Sequence, residues 1–64
     1  MPERVILREH FNEMLQTVSA AADEYDQLAS AATEPSRQKQ LRRLTLDKSR
    51  HVELTERLLE ILDE

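Results

Sequence analysis

The stretch Leu28-Ala-Ser-Ala-Ala-Thr33-Glu34-Pro35-Ser36-Arg-Gln-Lys-Gln-Leu41 decides the fold, because it holds the one strong break in the chain. Proline disfavours helical geometry at the residue before it, here Glu34, and is welcome in the first turn of a helix. Thr33 or Ser36 is placed to accept hydrogen bonds from the free N–H groups of the following helix. Working outward, the spacing predicts helix 1 over about residues 3–33, a turn at 34–35 and helix 2 over about 36–63. At 1.5 Å per residue these helices run ~46 and ~42 Å, well matched for a hairpin. The chain is one domain of 64 residues, with no linker, repeat or low-complexity tract.

Both flanks of the break carry a seam. Helix 1 places Leu7, Phe11, Met14, Val18, Ala21, Tyr25, Leu28 and Ala32 at alternating spacings of four and three. Helix 2 answers with Leu41, Leu44, Lys48, His51, Thr55, Leu58 and Leu62. Such spacing is that of helices packed along a heptad stripe. Folding back at the proline pairs positions whose numbers add to about 69. It sets Leu41 against Leu28, Leu44 against Tyr25, Leu58 against Phe11, and Leu62 against Leu7. The expected fold class is all-α: a two-helix antiparallel hairpin.

The stripes are wider than one partner helix can cover. Leu15, Ala22 and Ala29 broaden helix 1; Leu54 and Ile61 broaden one flank of helix 2, and Val52 and Leu59 the other. A domain of this length buries only ~60% of its unfolded surface. Two-fold pairing into a four-helix bundle relieves that deficit. The residues expected at the helix–helix and dimer interfaces are Leu7, Phe11, Met14, Leu15, Val18, Tyr25, Leu28, Leu41, Leu44, Leu54, Leu58, Ile61 and Leu62.

Composition excludes much else. With no Gly, the chain is poorly equipped for nucleotide-cradling loops or a many-stranded β fold; with no Cys, disulfides, zinc ribbons and thiol nucleophiles are excluded. No apolar run approaches ~18 residues, so no membrane span is expected. Only three apolar residues follow Met1-Pro2-Glu3-Arg4, too few for the core of a signal peptide, and a cytoplasmic setting is expected.

Lys48, His51 and Thr55 form a polar layer in the helix 2 seam, level with Ala21, Val18 and Met14. The favoured reading is a specificity device, in which buried polar groups fix register at some cost in stability. Lys48 has room to snorkel past Ala21 to solvent. His10 and Glu13, one turn apart, read as part of an exposed charged face.

From Glu24 to Leu62 the chain resembles one hairpin of a ferritin-like, rubrerythrin-type protein: Glu24-Tyr-Asp-Gln-Leu-Ala, a short proline-containing break, then Asp47-Lys-Ser-Arg-His51. That resemblance implies the hairpin scaffold, with half a di-iron site built from a first-helix Glu and a second-helix Glu-x-x-His pair. Here the corresponding positions hold Val18, Lys48 and His51, leaving His51 as the one candidate metal ligand and implying the scaffold without the iron chemistry. Ser49-Arg-His51-Val-Glu53-Leu-Thr55 is loosely similar to the His box of histidine-kinase dimerisation domains. It lacks the proline after the histidine, displaces the acidic residue by one and sits in the second helix.

Charge is unevenly placed. Residues 37–50 hold Arg37, Lys39, Arg42, Arg43, Lys48 and Arg50 against Asp47, a local +5 within a net charge of -4. A basic stretch suits phosphate backbones, and the dimeric Rop hairpin shows that a four-helix bundle can bind RNA. The stretch also lies beside Asp23, Glu24, Asp26 and Glu34 in the hairpin, so internal pairing is expected and nucleic acid is not. The expected function is a small, non-enzymatic, homo-oligomeric interaction or assembly module, with no catalytic residues and no cofactor. Its expected partner is a second copy, with another helical protein as the alternative. A ferritin-like metal- or oxygen-handling protein and a Rop-type RNA-binding hairpin are the rival functions.

Overall fold

The computed structural model describes residues 2–63 and contains two helices, α1 (Glu3–Ala31) and α2 (Pro35–Leu62). The hairpin is a flat rod whose Cα envelope measures 50 × 15 × 10 Å. This is the all-α hairpin expected from the sequence.

The turn comes earlier than its predicted place and is one residue longer, residues 32–34 in place of 34–35. α1 stops at Ala31 because Ala32 is already extended (ψ 132°), and Glu34 is extended too (φ -85°, ψ 124°), as a residue before proline should be. Pro35 opens α2, where its missing N–H costs nothing. Neither Thr33 nor Ser36 caps the helix. Glu34 occupies the cap position without a side-chain cap bond, and Ser36 lies inside the first turn, its Oγ donating to Glu34 Oε1 at 2.7 Å. What fastens the turn is Gln38. Its Nε2 donates to the Ala29 carbonyl at 3.0 Å, one of the α1 end carbonyls that lack a full set of helical partners.

Two pairs bracket the register. Ala29 with Gln38 gives positions adding to 67, and Arg8 with Asp63, an ion pair near the open end, gives 71. The expected sum of 69 falls between them.

The buried seam is nevertheless only half the one read from the sequence. Residues shielded on α1 are Val5, Arg8, Phe11, Leu15, Val18, Ser19, Ala21, Ala22, Tyr25 and Ala29, with Ala32 just past its end; on α2 they are Gln38, Leu41, Thr45, Lys48, Val52, Thr55, Leu59 and Leu62. Phe11, Val18, Ala21, Tyr25, Ala32, Leu41, Lys48, Thr55 and Leu62 therefore lie where expected. Leu7, Met14, Leu28, Leu44 and Leu58 do not: all are exposed, as is His51. Each is displaced by one position, so that 8, 15, 22 and 29 are inside on α1, and 45, 52 and 59 on α2. Ala22, Ala29, Thr45 and Val52 are smaller than most of the residues they replace, and small side chains let two helices approach closely. Ala29 is fully buried. The polar layer is corrected accordingly: Thr55 is buried and Lys48 half-buried, while His51 stands outside the seam.

Candidate functional site

The displaced residues share one face. Ser19, Ala22 and Asp23 line a shallow cleft together with Ser49 and Val52, and Asp26 lines another with Arg42, Thr45 and Leu46. These clefts mark one side of the rod, which is polar apart from the exposed Leu46. On a helix, positions 7, 14, 21 and 28 lie across the seam from 19 and 26, and positions 44, 51 and 58 lie across it from 42 and 49. The opposite side therefore carries Leu7, Met14, Ala21 and Leu28 beside Leu44, His51 and Leu58, with Leu54 and Ile61 along its α2 edge.

This face is apolar and open. Leu28 is 49% exposed, Leu54 51% and Ile61 60%. Taken at about 180–200 Å² per residue, the seven exposed Leu, Ile and Met side chains of the face leave roughly 600 Å² uncovered. Monomeric proteins rarely expose a contiguous apolar patch larger than ~300–600 Å² without a use for it. Ile6 is also exposed and lies one turn from His10 on the α1 edge of the same side, whereas exposed Leu46 lies on the other side of the rod, lining the cleft with Asp26 and Arg42.

The face is punctuated in three places. Exposed Asp47 stands on α2 one turn from both Leu44 and His51. His51 interrupts the α2 column between Leu44 and Leu58. Its carbonyl accepts a 2.8 Å hydrogen bond from Thr55 Oγ1, so the buried hydroxyl is satisfied within its own helix. On α1, His10, Glu13, Met14, Thr17 and Val18 line an open recess of ≈ 260 Å³. His10 and Glu13 thus both border a partly apolar hollow.

The remaining sequence candidates sit apart. Among the described residues no group of three or more His, Asp or Glu side chains is close enough to hold a metal ion. The internal pairing expected of the basic stretch is absent among them too: Arg8–Asp63 is their one ion pair, although Asp26 and Arg42 border the same cleft. Arg43, Arg50 and Arg57, seven residues apart, form an exposed column on the outer edge of α2. No helix of the described residues is long and apolar enough to cross a membrane.

Comparison with family models, with curated proteins and with solved structures finds no match to this chain.

Proposed function

We propose that this chain is a non-enzymatic self-assembly module, a helical hairpin whose apolar face is covered by a second copy to complete a four-helix bundle. The observation that carries this reading is the segregation of the rod into a polar side and an open apolar side formed by both helices. Its roughly 600 Å², enlarged by the half-buried Phe11, Val18, Tyr25 and Leu41 behind it, approaches the ~800 Å² that each partner contributes to a standard interface. A symmetric interface needs one patch complementary to itself, which a continuous leucine-rich face satisfies.

Sedimentation equilibrium tests the proposal. A dimer at micromolar concentration is expected, with a melting temperature that climbs with protein concentration. A folded 7.5 kDa monomer at tens of micromolar overturns it. In that event the face belongs to a different helical partner.

A further inference from the structure

We infer that the two copies pair with their turns at the same end, so that α2 of each lies along α1 of the other and Leu54 of one enters the recess of its partner. This inference rests on the self-assembly proposed above and specifies its geometry.

Two hairpins stacked face to face about a two-fold axis have two choices. An axis across the helices sets the turns at opposite ends and lays α1 on α1 and α2 on α2. An axis along the helices sets the turns together and lays α1 on the partner's α2. In the second case heights cannot slide. The partner's α2 stands at the same level as the chain's own, so facing positions again add to 67–71, as Ala29 with Gln38 and Arg8 with Asp63 do.

The recess distinguishes the two. Its floor is Met14 and Val18, and its rim is His10, Glu13 and Thr17. With turns together, the residues of the partner's α2 at that level run from about 53 to 57, and Leu54 is the apolar one on the matching edge of the face. Leu54 is half exposed in the single hairpin, and its side chain can enter the open recess of ≈ 260 Å³ against Met14 and Val18 without filling it. With turns opposed, α1 meets itself about a point between Met14 and Ala21, and the recess faces the partner's Thr17 and Ala21, which are too small to occupy it.

Charge on the outer edges points the same way. Beyond the face, α2 carries the column Arg43, Arg50 and Arg57, while α1 carries Glu13 and Glu24 on its outer edge. All five are exposed, and none is ion-paired within the described chain. With turns together, Arg57 stands level with Glu13 of the other copy, and Glu24 is level with Arg43, with Asp47 also at that height. With turns opposed, the arginine columns of the two copies run side by side and so do the glutamates. Flanking charges of this kind set partner orientation in helical assemblies, and like charges in register oppose it.

Because the chain has no cysteine, engineered disulfides read the geometry directly. Thr17→Cys and Leu54→Cys are made separately; both sites are exposed in the single hairpin. The proteins are then mixed, exchanged and oxidised. A covalent Thr17→Cys/Leu54→Cys heterodimer, with little product from either variant alone, is the expected result. Self-crosslinking of Thr17→Cys overturns the inference in favour of opposed turns, and a dimer that neither pair captures overturns it as well. Sedimentation of the unmodified protein separates these failures from the more basic one: a monomer removes the assembly reading itself. Arg57→Glu supplies a second measurement without a disulfide. It is expected to weaken association several-fold and to be rescued by Glu13→Arg, whereas a gain in association from Arg57→Glu alone sinks the arrangement.

Discussion

Leu58 and Leu59 are adjacent, chemically identical and assigned different jobs, so truncating each to alanine separates fold from assembly. Leu59 lies in the seam between α1 and α2; Leu58 is 42% exposed on the apolar face. That fraction of a leucine is roughly 75 Å², and covering it stabilises a dimer by ~2 kcal/mol per copy at ~25 cal/mol per Å². Alanine retains about a third of that contact, so Leu58→Ala removes ~1.3 kcal/mol per copy and ~2.5 kcal/mol per dimer. Dissociation constants should rise by between roughly 50- and 100-fold. Leu59→Ala instead opens a gap within the hairpin. For a half-buried leucine the cost falls near the lower end of the usual range, ~2 kcal/mol, and is felt by each chain irrespective of concentration. Sedimentation equilibrium across micromolar concentrations measures the first effect, and circular dichroism melts at several concentrations separate it from the second. If Leu58→Ala associates with wild-type affinity, the face is not the dimer surface. If it lowers hairpin stability as much as Leu59→Ala at every concentration, Leu58 belongs to the seam and the displaced register is wrong.

Thr55→Val should leave thermal stability unchanged or raise it by up to ~1 kcal/mol. The Thr55 hydroxyl bonds only the His51 carbonyl of its own helix, so its removal orphans no buried donor; a loss above ~1 kcal/mol would reveal a partner beyond that carbonyl. Gln38→Ala removes the 3.0 Å bond that secures the Ala29 carbonyl across the turn, and a loss of ~1 kcal/mol is expected in urea titrations. No measurable loss would mean that water replaces the amide at that carbonyl.

The two helices, the break before Pro35 and the register were legible in the sequence because each rests on local chemistry or simple counting. Proline excludes helical geometry at Glu34, apolar spacing of three and four marks a helical stripe, and a short turn leaves little freedom to slide. The members of the apolar face were legible as well: Leu7, Met14, Leu28, Leu44, Leu54, Leu58 and Ile61 all stood among the expected interface residues. Which of them face inward was not. Each helix carries a central line, such as 11-18-25-32, with a usable line on either side, and both choices repeat with the same four-three spacing. Periodicity cannot separate position 58 from 59, or 51 from 52, when each choice completes a heptad. Only the second helix makes the distinction, because the close approach of two backbones favours small residues such as Ala22 and Ala29 between them and turns larger ones out. By itself the sequence determined a hairpin with more apolar surface than it can bury. The tertiary packing decided that Leu7, Met14, Leu28, Leu44, His51 and Leu58 would be the residues left on the open face.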